Sequence, residues 1–190
     1  VIGREVPDIK LGTSVVPTFP RHPVTMAAEA LTAQKVSDGR LNLGIGLSHQ
    51  MVIEGVFGMS FDKPVGHMRD YLEILGPLLR GEPASHSGDR LSAQVGLEIG
   101  ADPVPLLVAA LGPNMLRLAA ELADGTVTWM TGPATLADHT IPTLTAAREQ
   151  LGRPPARVVA ALPVLVTDDV EGAKARAAEA FAIYGVLPSY

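Results

Sequence analysis

Five short apolar runs, each followed by a turn and a longer segment of helical periodicity, constrain this chain more than any other feature. The runs cover residues 9–16, 41–45, 105–110, 126–130 and 158–166. Strand, loop and helix repeated about five times predict a parallel sheet or barrel, because the helices return the chain to the same end of each new strand. The helices fall at 23–36, opened by Pro23, then at 51–57 and 65–79, where Met68, Leu72, Leu75 and Leu79 keep one face apolar. A further helix after Pro113 buries Met115, Leu118, Ala119 and Leu122, and another runs from Pro133 to about Gln150. Asp168 and Asp169 cap the last, whose apolar face is Val170, Ala173, Ala177 and Phe181. Residues 83–102 break the rhythm: they are polar, alternate in places, and carry the turn signal Ser87-Gly88-Asp89. They read as a hairpin insertion within a single domain spanning 1–190, and with the loop at 58–64 they are expected to shape a pocket.

Composition narrows the class. With 47% hydrophobic and 18% charged residues, 190 residues suffice for one globular domain with a sizeable core. A net charge of -5 without any Lys/Arg run argues against a nucleic-acid partner. The absence of cysteine excludes disulfides and cysteine–metal sites. No apolar run approaches the roughly 18 residues that span a bilayer, and no signal peptide is visible, so a soluble cytoplasmic protein without a membrane partner is expected. Abundant Ala, Gly, Pro and Arg beside four Phe and one Trp suit a high-GC bacterial source. The chain opens on Val1-Ile2-Gly3, like the last turn of a helix, and stops just after a helical segment. Both ends read as cut through regular structure, and a fragment or a processed chain is expected.

In a parallel barrel the C-terminal strand ends share one face, where ligands bind. That face gathers Thr13, Ser14, Ser48, His49, Ala110, Gly112, Thr131 and Gly132. The stretch Leu41-Asn42-Leu43-Gly44-Ile45-Gly46-Leu47-Ser48-His49 is its centre. Gly44 and Gly46 let backbone approach a ligand, and Ser48 offers a hydroxyl and an N–H. An ordinary strand-to-helix turn, with a capping serine and a solvated histidine, accounts for the same residues. The set is rich in small residues and helix-start N–H groups and poor in charge, which suits a phosphate or a flat cofactor. It does not suit hydrolysis by paired carboxylates: Glu54 and Asp62 lie near, without partners at metal-ligand spacing. No nucleophile elbow, P-loop or dinucleotide fingerprint is present. Among other polar residues, Arg40 is expected to pair with an acid and His22 to hold the Pro-rich loop. His67, His86 and His139 read as surface residues, and Trp129 as core or as a ring-stacking contact.

Several motifs in succession carry a resemblance. Leu11-Gly12-Thr13-Ser14-Val15-Val16-Pro17, Arg21-His22-Pro23, Asp38-Gly39-Arg40 and Leu43-Gly44-Ile45-Gly46 are followed by Ala109-Ala110-Leu111-Gly112-Pro113, Leu122-Ala123-Asp124-Gly125 and Trp129-Met130-Thr131-Gly132. In this order the chain resembles the luciferase-like monooxygenase family, and within it the actinobacterial F420-dependent oxidoreductases. The resemblance implies a (β/α)8 TIM barrel that uses the deazaflavin F420 or, in other branches, FMN. It places a non-proline cis peptide at Ser14–Val15, forming a bulge behind the cofactor ring. Thr13, Ser14, Val15, Gly46 and Ala110 would then border the cofactor. Ser48 and His49 would meet its ring edge or phosphate-bearing side chain, and Gly112, Thr131 and Gly132 its phosphate. The implied reaction is hydride transfer between C5 of the deazaflavin and a carbon of a small organic substrate, with His49 as proton donor or neutral hydrogen-bond donor. A full barrel takes about 250 residues, so this chain is expected to hold only part of one. The alternatives are an FMN-dependent monooxygenase served by a flavin reductase, and a non-catalytic flavin-binding or structural remnant of the barrel. A homodimer is in keeping with the family.

Overall fold

The computed structural model describes residues 1–187. A short helix, α1 (Ile2–Glu5), leads to a first strand in two pieces, β1 (Leu11–Gly12) and β2 (Val16–Pro17). Helix α2 (Pro23–Val36) returns the chain to β3 (Leu41–Gly46), which pairs in parallel with both pieces. Helices α3 (Gln50–Gly55) and α4 (Pro64–Leu79) follow, then an antiparallel hairpin of β4 (Ala84–Ser87) and β5 (Ser92–Val95). Next come β6 (Leu106–Ala109), α5 (Pro113–Leu122) and β7 (Gly125–Trp129). Helix α6 (Pro133–Thr135) continues through a π turn, Leu136–Thr140, into α7 (Ile141–Gln150). Strand β8 (Arg157–Ala161), helix α8 (Val170–Ala180) and a 3-10 turn, Ala182–Val186, complete the described chain, and none of its helices is long and apolar enough to cross a membrane.

The main sheet runs in sequence order, from the first strand through β3, β6 and β7 to β8, with every neighbouring pair parallel. The sheet is concave. Asn42, on β3, donates from Nδ2 to the Leu11 carbonyl (3.2 Å) and accepts at Oδ1 from Arg157 on β8 (2.7 Å). Strands three places apart in a flat sheet lie about 14 Å from one another, so this bond reports a sheet bent towards that face. The architecture is a half-barrel of parallel strand–helix units.

Alternation along β3 divides the two faces. Leu41, Leu43 and Ile45 join the main core with Met26, Ala30 and Leu31 of α2 and Met68, Leu72 and Leu75 of α4. Asn42, Gly44 and Gly46 occupy the concave side. Gly44 is required there, because a Cβ would lie 2.1 Å from the Thr13 carbonyl oxygen. The Thr13 hydroxyl fixes this approach by donating to the Gly44 carbonyl (2.7 Å) and accepting from the Gly44 N–H (2.9 Å). Between the two pieces of the first strand the Ser14–Val15 peptide bond is cis.

Helix α4 buries all four expected residues and also Tyr71, Ile74 and Leu78, since α2 packs on one side of it and α5 on the other. In α5 the buried residues are Leu116, Leu118, Ala119 and Ala120; Met115 and Leu122 are only half-buried, and Met115 faces the cleft described below. The last strand ends at Ala161 rather than 166, where its pairing with Trp129 runs out and Pro163 offers no N–H. The α8 face at Val170, Ala173 and Ala177 is not core: no residue of that helix is buried.

Polar residues also depart from expectation. Arg40 meets no acid but donates to the carbonyls of Gly3, Val6 and Ile9. His22 caps α2, its Nδ1 accepting from Val24 N–H (3.3 Å). The three histidines read as surface residues all have internal partners. His139 Nε2 lies 3.0 Å from the Leu111 carbonyl, and His86 Nε2 3.0 Å from Asp70 Oδ1. His67 is buried, with Nε2 at 3.1 Å from Thr18 Oγ1 and its ring stacked on Phe19 at 4.1 Å. Helical spacing at 67 is ambiguous from sequence, because a histidine on the edge of an apolar stripe is core only if a loop covers it.

Two consequences follow for stability against pH. Burial, and then the Arg90 charge, push the His67 imidazole below its ordinary value, against the opposing pull of Asp70. The fold therefore favours neutral His67: this contribution is full above about pH 6.5 and is lost as pH falls through the lower folded value. His67→Phe, which retains an aromatic ring but cannot titrate, is expected to lose less Tm than the parent between about pH 7.5 and pH 5. Burial opposes the Asp70 charge, but hydrogen bonds from His86, Arg90 N–H and Leu91 N–H outweigh it and hold the carboxyl below its usual range. Asp70 thus stabilises above about pH 3.9, and the effect is lost as pH falls through its lower folded value. Asp70→Asn should cost roughly 1–3 kcal/mol at neutral pH in urea denaturation and flatten the acid limb.

Candidate functional site

The strands end on one side of the half-barrel in a cleft of roughly 1120 Å³. Its floor is set by small residues. On β3, Gly46 admits Val15 so closely that a Cβ would lie 2.7 Å from Val15 Cγ2 and 3.0 Å from Ala109 Cβ. Branched residues normally fill the interior of such a barrel. Here glycine and alanine leave the space above Val15 open.

The walls come from the strand ends and the turns after them. Ser14, Val15 and Pro17 form one side, residues 46–51 the next, then residues 109–112 and 127–129, with Tyr184, Val186 and Leu187 across the mouth. Two of these turns use left-handed residues other than glycine: Ser48 (φ 64°), just past β3, and Met130 (φ 55°), just past β7. Such residues cost on the order of 1–2 kcal/mol and cluster where a turn must aim particular groups. Two helices then start with proline at their first position behind an extended glycine, Gly112-Pro113 and Gly132-Pro133. Proline supplies no N–H of its own, so the free donors at these helix starts lie one residue further in. A Cβ on Gly112 would meet nothing within 4 Å, which leaves the approach to the α5 N-terminus open.

Aromatic rings close one end. Tyr184 meets His49 edge-on, with ring centres 6.1 Å apart, and Trp129 at 6.5 Å, while Phe181 meets Trp129 edge-on at 6.2 Å. Trp129 is the single tryptophan of the sequence. Its indole Nε1 and the Thr128 hydroxyl, both in residues that line the cleft, are buried and have no hydrogen-bond partner among the described residues. Orphaned buried donors of this kind are costly unless a ligand or water meets them.

Seven of the ten residues marked from sequence line the cleft together: Ser14, Val15, Gly46, Ser48, His49, Ala110 and Gly112. Three do not. Thr13 spends its hydroxyl on Gly44, and Thr131 is buried with its hydroxyl 3.4 Å from the Trp129 carbonyl. Gly132 stands outside the cleft as the N-cap of α6. Glu54 is at the rim, where it accepts from Gln50 Nε2 (3.0 Å) and from Phe61 N–H (3.4 Å). Asp62 turns away and accepts from the Ser60 hydroxyl (2.7 Å). Sequence reasoning missed Pro17, Met51 and Met115 as wall residues. The loop at 58–64 lines the cleft, as expected, through Phe61 and Pro64, whereas residues 83–102 contribute none of its lining.

This chemistry is that of a holder for a flat, partly polar group. The floor is apolar, donors surround it, and no acid pair faces across it. The luciferase-like monooxygenase family model matches residues 4–188. A 5,10-methylenetetrahydromethanopterin reductase of Archaeoglobus fulgidus is 35% identical over 119 residues, covering 62% of this chain and 35% of that protein. Among solved structures, the coenzyme F420-dependent tetrahydromethanopterin reductase of Methanopyrus kandleri superposes with a TM-score of 0.71 at 22% identity, covering 83% of this chain and 51% of the other. The oxygenating constituent of 3,6-diketocamphane monooxygenase of Pseudomonas putida, in complex with FMN, gives 0.70 at 21% identity over 93% and 55%. At these identities the structural likeness is one of fold. The chain spans between about a third and just over half the length of these proteins. With the family model matched along almost all of its length and the same parallel strand–helix units in place, the chain belongs to the luciferase-like monooxygenase family.

Proposed function

We propose that the chain is the cofactor-holding part of an F420-dependent oxidoreductase that transfers a hydride between reduced deazaflavin and a small organic substrate. One observation carries this reading: an apolar shelf made by Val15 over Gly46 and Ala109, beside the open N-terminus of α5 at Gly112, in a cleft large enough for a tricyclic ring and its tail. The sequence relative is a methylenetetrahydromethanopterin reductase, and the solved tetrahydromethanopterin reductase is named as F420-dependent, which favours F420 over FMN. The FMN-bound neighbour supports the alternative, a monooxygenase that needs oxygen and a flavin reductase.

When bound, reduced deazaflavin supplies a hydride from its C5. Val15 would support one face of the ring and leave the other to the substrate, which would fix the direction of approach. The N–H groups in the first turn of α5 would be the donors for the cofactor's phosphate. His49, at the start of α3 and packed edge-on against Tyr184, holds the ring edge or gives the substrate its proton. Tyr184, backed by Phe181, would keep water from the end of the cleft.

Titration of the purified protein with F420 and with FMN, read through Trp129 fluorescence, tests the reading. Micromolar F420 binding with much weaker FMN binding is expected. Preference for FMN would replace it by the monooxygenase reading, and binding of neither by folded protein would leave the non-catalytic one. Gly112→Asp separates site from scaffold. An aspartate is a favourable N-cap and its Cβ meets nothing, so Tm should hold or rise slightly, while F420 affinity should fall at least tenfold through repulsion of the phosphate.

A further inference from the structure

We propose that Phe61 sets which substrate the cleft accepts, and that it selects a planar, apolar acceptor without negative charge, stacked on the free side of its ring. The inference rests on the hydride-transfer reading above. Phe61 belongs to no regular element, yet it is held at its ring and at its backbone. Phe19 covers one face of its ring, at 5.3 Å between centres and 26° between planes. The His67 ring lies behind Phe19, nearly parallel at 5°, and is itself buried in α4. The Phe61 backbone N–H donates to Glu54 on α3. A three-ring stack thus runs from the core of α4 to the cleft wall and leaves the remaining face and edge of Phe61 for the cleft. Thr18 ties the base of this stack to the strand ends, since its N–H donates to the Gly46 carbonyl (2.9 Å) and its hydroxyl meets His67. The wall is therefore pre-set relative to the Val15 shelf.

The surroundings define the acceptor. Met51 and Pro64 line the same cleft as Phe61, and thioether and ring surfaces suit a flat π-system. Glu54 is the charged neighbour at this rim, and its carboxylate repels an anionic acceptor such as a sugar phosphate. An uncharged conjugated carbonyl compound meets both requirements.

The test uses 1,4-naphthoquinone and glucose 6-phosphate as probes, with binding to the purified protein measured by calorimetry in the presence and absence of F420. Measurable naphthoquinone binding and no glucose 6-phosphate binding are expected. Phe61→Ala should weaken naphthoquinone about tenfold, and Phe61→Trp should restore it. Circular dichroism and Tm confirm that both variants fold. Glucose 6-phosphate binding by the parent, or naphthoquinone binding indifferent to Phe61→Ala in folded protein, overturns the proposal. Phe61-dependent naphthoquinone binding in a protein that binds neither F420 nor FMN would uphold the acceptor wall and sink the hydride-transfer reading instead.

Discussion

The approach of the Thr13 backbone to Gly44 is the contact on which the rest of the site depends. It brings two neighbouring strands so close that no side chain fits between them, and a single hydroxyl, donating and accepting at once, fixes the distance. The two residues after Thr13 are then carried over the concave side of β3, and Val15 comes to rest against Gly46 and Ala109. A shelf, an open space above it and a ring of turns at the strand ends follow from that one approach. Any larger residue at 44 would separate the strands and remove the shelf with them.

The helical layer serves a different purpose. Helices α2, α4 and α5 bury the outward face of the sheet in a continuous apolar core, while the hairpin of β4 and β5 is pinned to α4 through Asp70. Helix α4 also supplies His67, whose contacts with Thr18 and Phe19 lie on the way from core to cleft. Packing and recognition thus share one helix. Its apolar stripe is wider than any amphipathic surface helix requires, and that excess width is where the two tasks meet.

Most of the fold was legible because it depends on periodicity. Five strands, their parallel order and the long helices follow from alternating apolar runs and 3.6-residue stripes, which survive in almost any surroundings. The limits of elements were less legible where a neighbour decides them. The last strand stops at Ala161 because β7 gives no partner beyond Trp129, a fact written in another part of the chain. Seven cleft residues were identifiable from their place at strand ends, whereas Thr13 was misplaced by the same rule: its position is right, but its hydroxyl is consumed by Gly44. Met51 and Met115 escaped, and Phe61 was covered only by the expectation for its loop, because loops and helix starts reach the cleft through tertiary packing that no local pattern encodes. His67 shows the same limit, since its burial depends on a loop 49 residues away.

The Asn42 bond to Arg157 has a consequence for how such a protein diversifies. It ties β3 to the outermost strand across the concave face, low in the half-barrel, whereas the cleft sits at the opposite ends of the same strands. Curvature is thereby secured at one end and chemistry exposed at the other. Substitutions in the loops around the mouth are spared the task of holding the sheet in shape, so mutational drift there is filtered by what the cleft must bind and little by folding. A scaffold divided in this way can explore new ligands while its architecture stays fixed.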